Sequence, residues 1–243
     1  MSQTRFDIQT AAVIGAGTMG RGIVMSLANA GVQVRWLDNN PEMLEQALGT
    51  VADTYAHNVR QGRIDEAQAA ARRACISKAA DYQALADVDL VIEAVYENLE
   101  LKQKIFRELD GIVKPTGILA SNTSSLSIVD QTVGQSHPER MLGLHFFNPV
   151  PMMGLVEVVR SVRTSEHVIA RGVEFVRAIG KTPVTTRDES GFIVNLLLVP
   201  YLIDAVRALE RGVASIADID AGMRLGAGYP MGPFTLLDVV GLD

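Results

Sequence analysis

A chain of 243 residues, 48% hydrophobic and 21% charged, is long enough to bury a substantial core in one large or two smaller domains. No apolar run reaches the length of a membrane span, and residues 1–10 are polar and charged rather than the apolar run of a secretory signal, so the cytoplasm is the default expectation. The formal charge of −6 argues against non-specific nucleic-acid binding while leaving room for a local basic patch, and a lone cysteine, Cys75, has no internal disulfide partner and suits a reducing compartment.

In chain order, the apolar strand Ala11-Ala12-Val13-Ile14 runs through Gly15-Ala16-Gly17-Thr18-Met19-Gly20 into an amphipathic helix over about 19–30, which Gly31 closes. Glycines so placed between strand and helix make a phosphate cradle. Gly15 permits the tight turn, Gly17 lets the backbone approach a pyrophosphate with no Cβ in the way, and Gly20 lets the helix pack closely on the strand. The N–H groups that open the helix, around Thr18 and Met19, face the phosphates. A second strand, 32–37, ends in Asp38, about twenty residues beyond the glycines, where an acid receives a ribose 2′-hydroxyl. The pattern predicts a dinucleotide site, and Asp38-Asn39-Asn40 with no arginine predicts NAD over NADP.

Pro41 opens a long helical arm over 41–61 that breaks at Gly62 and resumes over 65–74. Arg60, Arg63, Arg72 and Arg73 make it locally basic, with Asp53, Asp65 and Glu66 interleaved, which suits either an anionic substrate or a solvated face. A buried-strand run follows within 87–95, then a helix over 97–110 with apolar residues at helical spacing, a short strand 117–120, the hydroxyl-rich turn Ser121-Asn122-Thr123-Ser124-Ser125, and a helix 128–133. Such alternation implies βαβ units and a parallel, doubly wound sheet of the Rossmann type. Ligands of such sheets sit beyond the carboxyl ends of the strands, where the glycine loop, Asp38, Glu97 and the Ser/Thr cluster all fall.

The strand 141–149 carries His145, and the next, Leu155-Val156-Glu157-Val158-Val159, sets an acid among apolar neighbours. A histidine alone in an apolar strand is an ordinary core residue. A histidine and a semi-buried carboxylate on consecutive strands form an acid–base pair, since the carboxylate fixes the imidazole tautomer and stabilises its protonated form. A helix 166–179 and a strand 182–186 complete the α/β part. From Gly191 onward the pattern is wholly helical, over 191–211, 216–225 and 233–240, so the expected domains are 1–187 for the nucleotide and a helical 188–243. No cluster has metal-ligand spacing, and no G-x-S-x-G elbow is present.

The ordered set VIGAGTMGRGI, DLVIEAVYENLELK, ILASNTSSL, GLHFFNPVP, LVEVV, GFIVN and LGAGYPMGPFTLLDVVGLD resembles the L-3-hydroxyacyl-CoA dehydrogenases, including the bacterial 3-hydroxybutyryl-CoA dehydrogenases. The resemblance spans nearly the whole chain. It implies NAD-dependent oxidation of an L-3-hydroxyacyl-CoA, in β-oxidation or butanoate-type metabolism, by a homodimer joined through its helical part. It further implies that His145 is the general base, Glu157 its orienting acid, Ser124 and Asn195 the hydrogen-bond partners of the substrate, and Glu97, Lys102, Ser124 and Asn148 contacts of NAD.

Two positions depart from the family pattern. Leu196 stands where relatives carry an arginine after the asparagine of GFIVN, and Arg60-Gln61-Gly62-Arg63 replaces a lysine pair before the arm's glycine, so a CoA phosphate contact would move from Gln61 to one of the arginines. The last motif continues in relatives for several more helices, so the helical domain is expected to be incomplete, as a fragment or as the dehydrogenase part of a longer multifunctional polypeptide. Two other readings compete: a sugar-acid 3-dehydrogenase sharing the His/Glu pair, and a crystallin-like NAD-binding protein without catalysis, against which Ser124, His145, Glu157 and Asn195 all speak.

Overall fold

In the computed structural model, which describes residues 7–241, eight strands form one sheet in the order β3-β2-β1-β4-β5-β6-β7-β8. They are β1 (Thr10–Ile14), β2 (Gln33–Leu37), β3 (Ile76–Lys78), β4 (Leu90–Glu93), β5 (Ile118–Ser121), β6 (Met141–Phe146), β7 (Leu155–Arg160) and β8 (Thr182–Arg187). The polar segment 1–6 and the end of the last motif, 242–243, lie outside the described residues.

The six strands from β3 to β6 run parallel, and the central ones are apolar on both faces because helices cover both. Ala11 and Val13 of β1 face one cluster with Ile92, Ala120 and Leu144; Ala12 and Ile14 face the other with Val91, Leu119 and Met141. On the first side pack α1 (Thr18–Asn29) through Ile23, Val24 and Leu27, and α6 (Glu166–Ala178) through Val168, Phe175 and Val176. On the second side pack α4 (Leu99–Ile112) through Ile105, Phe106 and Leu109, and the short α5 (Ile128–Gln131) through Ile128.

The expected arm is a helical pair, α2 (Pro41–Arg60) and α3 (Glu66–Ala74). Asn40 caps α2 ahead of Pro41, and Asp65 with Gln68 closes a capping box on α3. Tyr55 seats α2 against α1, its buried hydroxyl donating to Asn29 Oδ1 at 3.0 Å, and burial pushes that phenol up to about 12.

Two expectations need correction. The sheet is not wholly parallel: β7 runs antiparallel to β6, and β8 then pairs parallel with β7. The helix expected from Gly191 starts at Val194, because Gly191 (φ 80°) and Phe192 (φ 53°) are both left-handed and break the helical path. The chain divides into two compact units between Phe192 and Ile193, since Asp188 and Ser190 still bind the first unit. The second contains α7 (Val194–Glu210), α8 (Ile216–Gly226) and α9 (Pro233–Val240).

Asp89, at the start of β4, clasps β1. It accepts hydrogen bonds from the N–H groups of Gln9 and Thr10 and from the Thr10 hydroxyl, all at 2.9 Å, and from Lys114 Nζ at 2.5 Å. Burial pushes its carboxyl up, but the Lys114 ammonium and the Thr10 and Gln9 donors outweigh that and bring it down to about 2. A carboxylate lowered by folding stabilises the fold above its unfolded value near ~3.9 and loses that contribution as the pH falls toward its folded value. Denaturant titrations should therefore show wild type losing stability between pH 5 and pH 2 faster than Asp89→Asn, by about 1 kcal/mol after solvent screening. Parallel pH curves for the two proteins would count against the clasp.

Candidate active site

The cradle is built by close packing. A Cβ on Gly15 would lie 2.4 Å from the Ala94 carbonyl oxygen, and one on Gly20 would lie 2.0 Å from the Gly15 oxygen, so neither position admits a side chain. A Cβ on Gly17 would meet nothing within 4 Å, because that residue looks into open space at the helix start. No side chain caps α1, whose first N–H groups remain available to an anion. Trp36 Nε1 donates to the Gly15 oxygen at 2.9 Å and pins the turn from below.

The cradle opens into a cavity of about 740 Å³ lined by Gly15, Gly17, Thr18, Met19, Asp38 and Val95 among others. Asp38 stands at its rim, with Oδ2 accepting from Ala16 N at 2.6 Å and Oδ1 from Asn40 N at 2.8 Å. These bonds aim the carboxylate at the cavity and leave it lone pairs for a diol. Uncapped helix, excluded side chains and rim carboxylate together fit NAD.

Beyond β4 lies a buried ionic chain. Glu93, fully buried, accepts two bonds from Lys102 Nζ (2.7 and 2.9 Å) and one from Ser121 Oγ (2.8 Å). Lys102, 1% exposed, also lies 3.3 Å from Glu97. The resemblance gives Lys102 to the cofactor; here its ammonium is first of all the counter-ion of two glutamates. Glu97 accepts from the Thr123 hydroxyl, from Ser124 N at 3.1 Å and from Ser125 Oγ at 3.4 Å. Burial would raise the Glu97 carboxyl, yet Thr123, Lys102 and the Ser124 N–H hold it below the ordinary range. The turn that carries Ser124 is thus fastened to a charge. On its other side Asp188 accepts from Ile128 N and Val129 N, each at 2.7 Å, and from Ser127 Oγ at 3.0 Å, which caps α5.

His145 and Glu157 face each other as direct cross-strand partners of the antiparallel pair. His145 is 6% exposed and Glu157 fully buried, and Nδ1 lies 2.7 Å from Glu157 Oε2. With the carboxylate on Nδ1, that nitrogen carries the proton and Nε2 is left for chemistry. The rings of Phe147 and Phe192 lie 4.4 and 5.5 Å from the imidazole, both tilted. Asn122 links the two halves of the site, with its Oδ1 accepting from Phe146 N at 3.0 Å and its own N–H donating to the Glu93 carbonyl oxygen at 2.8 Å.

The structure brings Glu97, Lys102 and Ser124 together in the first unit, and Asn148 lies exposed just past the histidine strand. Asn195 belongs to the first turn of α7 in the second unit. Arg60, Gln61 and Arg63 are exposed where α2 ends. The sequence carries no sign of the parts played by Trp36, Asn122, Asp188 and Phe192; for Glu93 the one legible signal is an acid closing the apolar run Leu90-Val91-Ile92-Glu93.

Residues 10–189 match the family described as 3-hydroxyacyl-CoA dehydrogenase, NAD binding domain, and residues 191–243 match the 3-hydroxyacyl-CoA dehydrogenase C-terminal domain. The chain belongs to the 3-hydroxyacyl-CoA dehydrogenase family. A mitochondrial hydroxyacyl-coenzyme A dehydrogenase of Sus scrofa is 45% identical over 100% of this chain and 79% of its own length. Among solved structures, FadB2 of M. tuberculosis is 42% identical with a TM-score of 0.93, covering 97% of this chain and 84% of its own. The (S)-3-hydroxybutyryl-CoA dehydrogenase PaaH1 of Ralstonia eutropha is 40% identical with a TM-score of 0.94, covering 98% and 84%. As in its family, this dehydrogenase uses NAD.

At the rim of the cavity, the 2′-phosphate of NADP would meet the Asp38 carboxylate with Asn39 and Asn40 beside it and no arginine. Repulsion and the lost ribose bond should disfavour it by at least ~2 kcal/mol, about thirty-fold in kcat/KM. Initial-rate comparison of NADH and NADPH checks this, and equal efficiencies would refute it.

Proposed function

We propose that this chain catalyses the NAD-dependent interconversion of an L-3-hydroxyacyl-CoA and its 3-ketoacyl-CoA, with His145 as general base and acid. The observation that carries the assignment is the 2.7 Å bond between His145 Nδ1 and the fully buried Glu157. NAD, when bound, supplies the hydride acceptor for the hydrogen on C3. His145 Nε2 takes the proton of the C3 hydroxyl, so that proton and hydride leave together and a ketone remains. Glu157 stabilises the imidazolium that forms. Ser124 and Asn195 are proposed to hold the substrate oxygen, and alignment of this kind contributes as much as the base itself. Glu97, Lys102, Ser124 and Asn148 are assigned to NAD by resemblance to the family. Arg60 and Arg63, exposed at the end of the arm, are the candidates for the CoA phosphates.

NADH oxidation with acetoacetyl-CoA, run beside a 3-keto sugar acid, tests the substrate class, and preference for the sugar acid would overturn it. His145→Ala should lower kcat by about 10²–10⁴ with NADH binding little changed. Glu157→Gln should lose less. Near-wild-type turnover in His145→Ala would remove the assignment.

We further infer that residues 191–243 join two copies of the chain. Leu197 is 68% exposed, and Leu196, Val199, Ile203 and Val206 of the same helix are also exposed, an apolar stripe that water does not favour. Light scattering should give a dimer, and Leu197→Glu should shift it toward monomer with more dye binding; a monodisperse wild-type monomer would refute the contact. A reducing, cytoplasmic setting is inferred from the single thiol, Cys75, which is free.

A further inference from the structure

His145 is held at one nitrogen only. The bond from Nδ1 to Glu157 is a single point of contact, and a swing of the ring about it would move Nε2, the nitrogen that works. Two aromatic rings limit the swing. Phe147 follows His145 by two residues and is only partly buried, whereas Phe192 comes from the far end of the first unit and is 2% exposed.

The route by which Phe192 reaches the imidazole is unusual. After β8 ends, Asp188 is fixed by three hydrogen bonds at the start of α5, and the Ser190 hydroxyl donates to the Ser125 oxygen at 3.1 Å. Gly191 then turns left-handed at φ 80°, and Phe192 follows at φ 53° with its N–H on the Glu189 oxygen at 2.8 Å. Phe192 has the one positive φ of any residue other than glycine among the described residues. A bulky side chain in that conformation is disfavoured and persists only where its surroundings hold it, and such outliers concentrate at functional sites. Here the consequence of the turn is to aim a buried ring at the histidine from the same segment that ties down the serine loop.

We propose that Phe192 is a positioning residue for His145: its ring, 5.5 Å from the imidazole and tilted by 58°, fixes the direction of Nε2. The proposal rests on His145 as the acid–base group, and its test separates the two. In Phe192→Leu, which keeps an apolar side chain and loses the ring, kcat with acetoacetyl-CoA should fall about 10–100-fold while NADH affinity stays within about twofold, because misaligned reacting groups lose rate rather than binding. Phe192→Tyr, which keeps the ring, should recover most of the loss. Nitrogen NMR of histidine-labelled protein gives a readout independent of turnover. Wild-type His145, identified by its absence in His145→Ala, should show a single Nδ1-protonated tautomer with sharp signals, and Phe192→Leu should keep that tautomer with nitrogen signals broadened by motion of the ring.

Unchanged His145 signals in a folded, NADH-binding Phe192→Leu protein would overturn the proposal even if activity fell. So would equal kcat values in wild type and Phe192→Leu. If Phe192→Leu does not fold, Phe192→Met is read in the same way. Should His145→Ala retain turnover, the acid–base reading fails by itself, and the NMR comparison still decides whether Phe192 holds the ring.

Discussion

A carboxylate with no access to water must be met by donors or a positive charge, and two fully buried glutamates set the geometry of this molecule around that requirement. Glu157 is met by His145 across the antiparallel pair. Glu93 is met by Lys102, Ser121 and the Val95 N–H. Either acid without its partner would be an uncompensated charge in the core, so each fixes the elements that carry its partner. Glu157 fixes which imidazole nitrogen carries the proton, and Glu93 holds Lys102 of α4 where it also meets Glu97.

The two ends of the site follow different physics. At the nucleotide end the chain makes room: side chains are absent where the backbone must close on itself, and α1 begins without a cap. The helix dipole and the uncapped N–H groups at its start are what a phosphate would meet there. At the acid–base end the chain fills space with aromatic rings and paired charges. Water is largely kept from the imidazole, and its interaction with the carboxylate is stronger for that.

Much of this was legible in the sequence wherever the information is local. The glycine loop, the strands with their intervening helices, Asp38 and the capped starts of the arm depend on residues close together in the chain, and period and conformational requirement declare them. The reversal at β7 was harder, because Leu155-Val156-Glu157-Val158-Val159 reads the same in either direction. The connection over 147–154 held the clue, since a parallel crossover needs a dozen or more residues. Nothing in the spacing of 97–110 sets Lys102 inside, and only the buried carboxylate of Glu93 at the end of β4 explains its burial. The left-handed turn at Phe192 had no signal at all, because nothing about a phenylalanine favours it.

Asn122 is the smallest part of the site and the one with the widest reach. Through its own N–H and its side-chain oxygen it joins the end of β4 to the end of β6, so the turn bearing Ser124 and the strand bearing His145 share one frame. The spacing between the imidazole strand and the serine turn is set inside the first unit by these two bonds. A substitution at Asn122 would then be felt at the serine turn and at the histidine strand at once.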